Sequence, residues 1–506
     1  MSRNFLAARA GPAEQIETAK KKSYEYPILL LLLGVFLAFS FYKLTESPKT
    51  WYDEGILTQV AMNIAAEGKY MVQIAPEKFV SAGFVSTGYP VIYPVSLAFR
   101  YWGVNLFAAR LVMVIYLLLF ITLFYILARR FYGIGGGILA ASVMASFAPL
   151  FGHGRNVLGE IPGLFFLLIV LYQLSKIAQE NFMASPYSIA ITGLATGLAV
   201  STKPIFLLLL PALFTAYLWN WPGGKRSLKQ SAAFFICFLI PVGIWIVTQF
   251  GNGDSIASIL SIYSNPAGYS PASLLYIILG NVRRFFTEWQ PIYMLVLWGA
   301  WAASLVIRRV RGEGPLEITE LTAILFATFV LAAYVRTEGW YRYFFLAEVM
   351  AFLYLPRLLH TWAMELGRWM PSGTKLFHCL TCAFLVLLVL GQAYYLGARS
   401  WIAADFTRHR TADLENYFLN FDKSKSVFIY NVPETALFVN GVSYYQYLEV
   451  KPYLVVGQNE IRELDNGRPD FMILSAEGWE KTLARFPRYQ KLEVIDEYVI
   501  AAKKPA

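Results

Sequence analysis

The chain has 506 residues, of which 57% are hydrophobic and only 15% charged, a balance that excludes a soluble protein of this length and makes the bilayer the expected solvent. The net charge of +10 does not point to nucleic acid, because the basic residues sit mainly in short segments between apolar runs, a pattern that orients membrane proteins. Cys237, Cys379 and Cys382 all lie in apolar runs, which excludes a disulfide-stapled exterior domain.

Residues 1–26 read as a basic cytoplasmic tail, with Lys20, Lys21 and Lys22 ahead of the apolar stretch 27–41. No small-residue cleavage site follows, so this stretch reads as an uncleaved first span and not as a signal peptide. A hydrocarbon core about 30 Å thick takes about 20 apolar residues per helix. About eleven runs meet that test, near 27–44, 105–128, 134–151, 157–174, 187–201, 204–221, 230–250, 290–307, 317–335, 343–360 and 376–398. Cys379 and Cys382 are spaced like half a zinc site, but no second pair accompanies them; they read as small helix-packing residues.

Lys20 to Lys22, Arg129, Arg130, Lys176, Lys225, Arg226, Lys229, Arg308, Arg309, Arg311, Arg357, Arg368 and Lys375 fall on one alternating set of loops, which the positive-inside rule makes cytoplasmic. The opposite set is external: the first loop 45–104, the turn at His153-Gly154-Arg155, the Ser201-Thr202-Lys203-Pro204 junction, 251–289 and 336–342. An odd number of spans also places 401–506 outside. There 426–430, 453–456, 471–474 and 492–501 read as strands, with 434–440 and 477–486 as helical connections, giving a small α/β domain. The absence of an Asn-x-Ser/Thr acceptor favours a prokaryotic plasma membrane.

The most informative stretch is Trp51-Tyr52-Asp53-Glu54-Gly55-Ile56, just past the first span. Asp53 has the position of an N-cap for a helix through Ala66 that ends at Gly68. The same carboxylate suits a general base, which can contribute roughly 10²–10⁴-fold when it accepts a hydroxyl proton. Glu54 would orient Asp53, bind an acceptor or help hold a divalent cation. Glu160, one turn into an apolar run, needs a partner. It either pairs with Arg155 or shares with it the polar floor beneath Asp53. Lys203, Arg336 and Arg342 either snorkel to headgroups or form an anion site for a leaving phosphate. Arg283 and Arg284 either join them or contact anionic lipid.

These residues, with the stretch 61–70, the Thr87-Gly88-Tyr89-Pro90 motif leading to Pro94, and Ala109-Arg110-Leu111, resemble the GT-C superfamily of polyprenyl-phosphate-dependent glycosyltransferases. The likeness is to the branch of protein O-mannosyltransferases and lipid A aminoarabinose transferases. It implies a GT-C-like transmembrane catalytic domain over 27–400 and an inverting transfer, with Asp53 as the base that activates an acceptor hydroxyl. Arg155 with Glu160, Lys203, and Arg342 with Tyr343 sit where the family places further charged residues. The implied partners are a polyprenyl-phosphate-linked sugar, membrane lipid, and a lipid, glycan or protein acceptor. The stretch 87–94 lacks the adjacent prolines common in aminoarabinose transferases, which argues against lipid A as acceptor. A multispan transporter or flippase is the rival, but it would carry midplane charges in broken helices and an internal repeat.

Overall fold

The computed structural model describes residues 12–179, 185–220, 228–251, 270–313, 316–337, 341–369, 374–451 and 454–505. Helix α1 (Pro12–Phe41) leads into an irregular segment and then α2 (Tyr52–Glu67), the hairpin β1 (Met71–Ala75) and β2 (Lys78–Ser81), and α3 (Tyr89–Trp102). The bundle continues with α4 (Leu106–Ala145), α5 (Ala148–Gly154), α6 (Glu160–Gln179), α7 (Pro186–Thr202), a 3₁₀ turn (Pro204–Leu208) running into α8 (Leu209–Trp219), and α9 (Leu228–Phe250). Then follow α10 (Pro271–Thr287), α11 (Trp289–Val310), α12 (Ile318–Val335), α13 (Tyr341–Trp369) and α14 (Thr374–Tyr394).

Eight of the described helices are long and apolar enough to cross a membrane. The eleven runs expected from sequence each fall on a helix or part of one. α4 accounts for two of them, because Gly133 (φ 74) breaks its 40 residues into two arms, a left-handed backbone that costs glycine nothing. α7, at 17 residues, and the segment Pro204–Trp219 are shorter than the single-helix length criterion. Leu30, Leu31, Phe214, Val247 and Leu387 point outward, exposed. Side chains of that kind in such number are stable against acyl chains and not against water. Phe120, Phe124, Leu167 and Phe344 are fully buried in the bundle core. The protein is a multi-pass membrane protein. Cys379 and Cys382 are exposed on α14, a correction to the expectation that they pack against neighbouring helices.

After α14 come α15 (Trp401–Ala404), α16 (Arg410–Leu419), β3 (Ser426–Tyr430), a 3₁₀ turn (Pro433–Leu437), β4 (Ser443–Lys451), β5 (Leu454–Val456), α17 (Ile461–Asp465), β6 (Phe471–Ser475), α18 (Trp479–Arg485), β7 (Tyr489–Ile495) and β8 (Tyr498–Lys503). The strands form one sheet in the order β5-β4-β3-β6-β8-β7, with β3 parallel to β4 and β6 and the other pairs antiparallel. Alternation along β3 covers both faces: Val427 and Ile429 join the α16 side with Leu414 and Phe418, while Phe428 joins the α17 and α18 side. The single strand expected over 492–501 is instead a hairpin turning at Asp496 (φ 49). β4 was not expected, nor was the β1–β2 hairpin in the first loop.

Candidate active site

The irregular chain between α1 and α2 is held mostly by side chains from elsewhere, which supply the partners that a segment without regular structure needs. Arg110, in the first turns of α4 and fully buried, donates from Nη1 to the carbonyls of Leu44 and Pro48, both at 2.8 Å. Its Nε and Nη2 grip Glu54 in a fork at 3.0 and 2.8 Å. Glu54 Oε1 also accepts the Val157 N–H at 3.0 Å. Arg155, 1% exposed, donates to the carbonyl of Tyr42 at 2.7 Å and to the Ser47 hydroxyl at 3.1 Å. From the other side, the Glu46 carboxylate accepts the N–H groups of Thr411 and Ala412 at 3.0 Å each, an anion at the start of α16 where the helix dipole favours one. Ser47 Oγ donates to the carbonyl of Ile402 at 2.6 Å, and the Lys49 N–H to Asp405 Oδ2 at 2.9 Å.

This scaffold delivers Asp53 to the first turn of α2, half-buried. The N-cap residue is Trp51 and not Asp53, a correction to the capping expectation, while Gly68 (φ 71) ends the helix as expected. Glu54 differs from the acceptor-binding or cation-holding role considered for it, since both its oxygens are engaged inside the protein.

Glu160 pairs with Lys203 and not with Arg155. Glu160 is fully buried and Lys203 is 3% exposed, and the Lys203 ammonium also lies 5.4 Å over the Tyr343 ring. Gly159 permits this contact between α6 and α7: a Cβ there would sit 2.7 Å from the carbonyl oxygen of Thr202. A pair so enclosed avoids the cost of an isolated buried charge. Arg155 is thus engaged by the protein, unlike the open phosphate-binding cation expected, and Lys203 carries a resident counter-ion. Arg336 is exposed at the end of α12. The Arg342 side chain lies outside the described residues, and so do residues 252–269 of the expected external loop 251–289; much of the remainder of that loop is helical, as α10. Arg284 forms an ion pair with Glu288 at 2.7 Å.

His153, expected in a loop, is 3% exposed at the end of α5, ringed by Trp51, Phe345 and Trp401 at 5.9, 5.2 and 5.8 Å. Among the described residues no three His, Cys, Asp or Glu side chains converge as a metal site. With Glu54 engaged as well, the described residues do not make up a site for the divalent cation expected from sequence. The residue that sequence reading left without a role is Arg110. Its signal was a lone arginine near the start of a long apolar run, where a charge implies a partner.

Residues 90–246 match the family described as dolichyl-phosphate-mannose-protein mannosyltransferase. No curated protein matches the sequence at a significant level. Among solved structures, the chain is similar to ArnT from Cupriavidus metallidurans bound to undecaprenyl phosphate, with 14% identity, TM-score 0.58, and coverage of 94% of this chain and 99% of that one. It is also similar to the oligosaccharyltransferase AglB from Archaeoglobus fulgidus in complex with an inhibitory peptide and a dolichol-phosphate, with 11% identity, TM-score 0.56, and coverage of 90% and 70%. The likeness to ArnT runs almost end to end on both chains and, with the family match across α3 to α9, shows that this chain has a GT-C-like fold.

Proposed function

We propose that the protein is an inverting glycosyltransferase that moves a monosaccharide from a polyprenyl-phosphate carrier to a hydroxyl of a cell-envelope lipid, glycan or protein. The observation that carries this reading is the rigid presentation of Asp53. It sits in the first turn of a helix whose next residue, Glu54, is clamped by Arg110 and the Val157 N–H. A carboxylate held that way can accept the proton of an attacking hydroxyl while the acceptor oxygen bonds to the anomeric carbon and the lipid phosphate departs on the opposite side. Support for the carrier comes from the neighbours, whose names record undecaprenyl phosphate and dolichol-phosphate. The matching family is described by dolichyl-phosphate mannose, so polyprenyl-phosphate mannose is the first donor to assay.

The departing phosphate is assigned to the corner where Lys203 meets Tyr343, with Arg336 and Arg342 at the adjoining ends of α12 and α13. Glu160 serves there as the resident counter-ion of Lys203. Arg155 is reassigned from phosphate binding to holding the chain before α2. The first loop and the 401–506 domain pack on each other, so they share one side of the membrane. The charge bias of the remaining loops makes that side the extracytoplasmic one, in a prokaryotic plasma membrane.

The test is transfer by purified protein from a labelled polyprenyl-phosphate sugar. Asp53→Asn should fold with an unchanged unfolding midpoint, bind carrier, and lose roughly 10²–10⁴-fold in transfer rate. Undiminished transfer would remove Asp53 as the base.

A further inference from the structure

The start of α2 has a second neighbour besides Arg110. Gly55 lies backbone to backbone on the 3₁₀ turn Pro433–Leu437: a Cβ added there would sit 2.2 Å from the Glu434 nitrogen and 2.4 Å from its Cα. Leu437, Leu448 and Val456 of the sheet domain share one apolar core with Ile56, Leu57 and Val60 of α2, so the two move as one packed body. Within that body a polar contact reaches the residue before Asp53. The Tyr52 hydroxyl donates to Asn431 Oδ1 at 3.1 Å.

Asn431 is itself fixed. Its φ of 58 is a left-handed conformation that asparagine adopts more readily than most residues. Its N–H donates to the Tyr447 carbonyl and its Oδ1 accepts the Glu449 N–H, each at 2.8 Å. Burial first, then the charges of Glu434 and Asp53, push the Tyr52 phenol well above its usual range. The hydroxyl therefore remains a neutral donor at physiological pH.

We infer that Tyr52 and Asn431 form a positioning latch through which the C-terminal domain sets the orientation of the Asp53 carboxylate. Residues 52 and 54 stand about 200° apart around a helix at about 100° per residue, with 53 between them. The Arg110 clamp on Glu54 and the Asn431 contact on Tyr52 thus hold nearly opposite faces of the first turn. Trp51 provides no side-chain cap, so this turn lacks the usual device that fixes a helix start. A reacting group displaced by about 1 Å can cost about 10²-fold. Tyr52 and Asn431 act through Asp53 and touch no substrate.

The latch rests on the reading of Asp53 as the base, and the two are separable by kinetics on the full-length protein with the labelled carrier. Tyr52→Phe and Asn431→Gly, which keeps the left-handed backbone accessible, should each lower kcat about 10- to 100-fold. KM for the carrier should stay where it is in both, and the unfolding midpoint in Tyr52→Phe; Asn431→Gly also removes the acceptor of the Glu449 N–H and should lower its own midpoint. The double variant should be no slower than the slower single one, because both remove the same contact. Unchanged kcat in Tyr52→Phe beside an inactive Asp53→Asn would overturn the latch and leave the base standing. Full transfer by Asp53→Asn would instead overturn the base. A fall in kcat that tracks a lowered midpoint in Tyr52→Phe, or additive losses in the double variant, would reduce the contact to ordinary structural packing and overturn the inference.

Discussion

The two ends of the first arm of α4 bury the same kinds of charge and use them differently. Near its start, Arg110 divides its guanidinium between Glu54 and two carbonyls of irregular chain. About 33 Å further on, at about 1.5 Å per residue, Tyr132 lies beneath Arg357 at 5.7 Å. There Glu320, fully buried, takes Arg308 at 2.7 Å, Arg357 at 2.8 Å and the Trp301 indole N–H at 3.1 Å. Glu317 adds a second carboxylate to Arg357 at 3.0 Å. All these partners stand on helices or at their ends. One end uses charge to give a fixed shape to a segment that is not helical; the other ties helices to one another. The proposed chemistry rests on the first, and the second serves the bundle alone.

That contrast can be broken by mutation. Arg110→Ala leaves the Glu54 carboxylate buried without its cation, a loss of about 3–5 kcal/mol, and it releases the chain before α2. Thermal unfolding should show a large drop in midpoint, and the protein that remains folded should not transfer sugar. Arg357→Ala should cost less, about 1.5–3 kcal/mol, because Glu320 keeps Arg308. Transfer per folded molecule should match the parent, and its loss would erase the distinction between the two ends.

The sheet domain offers a third kind of buried carboxyl, one that meets the Tyr498 hydroxyl at 3.1 Å and no guanidinium. Burial raises the Glu434 carboxyl to about 7 from an ordinary value of 4.5. The folded state therefore binds a proton that the unfolded chain has released between those two values. The resulting stability is fully present below pH 4.5 and is lost as pH rises through 7, by about 2–3 kcal/mol. Unfolding midpoints measured from pH 4.5 to 7.5 should fall along that course, and Glu434→Gln should flatten the curve. Lys78→Ala, which removes an exposed partner of Glu460, should change stability by less than about 1 kcal/mol.

The parts of this structure visible in sequence are those whose signal is local. Long apolar runs located the bundle helices, β3 was read at 426–430 and is found there, and Gly68 marked the end of α2. What stayed hidden depends on partners distant in the chain. From sequence, Glu160 either pairs with the nearby Arg155 or lines a polar floor with it, whereas Lys203, 43 positions on, holds it. β4, with the sequence Ser-Tyr-Tyr-Gln-Tyr-Leu-Glu-Val-Lys, does not look like a buried strand until Gln446 is seen exchanging hydrogen bonds with Gln59. Asp53 and Glu54 look alike as neighbours in a sequence. Only the fold shows that Glu54 belongs to the scaffold.

The distance from Gln59 to Gln446, 387 positions along the chain, bears on how the protein is made. α2 and Asp53 emerge in synthesis well before Asn431, Leu437, Leu448 and Val456, which complete their surroundings. Contacts this remote close only after the intervening chain has been placed. Asp53, the proposed base, therefore acquires its final setting only after the sheet domain has appeared, and a product cut short before β3 that inserted every helix would still lack a finished site.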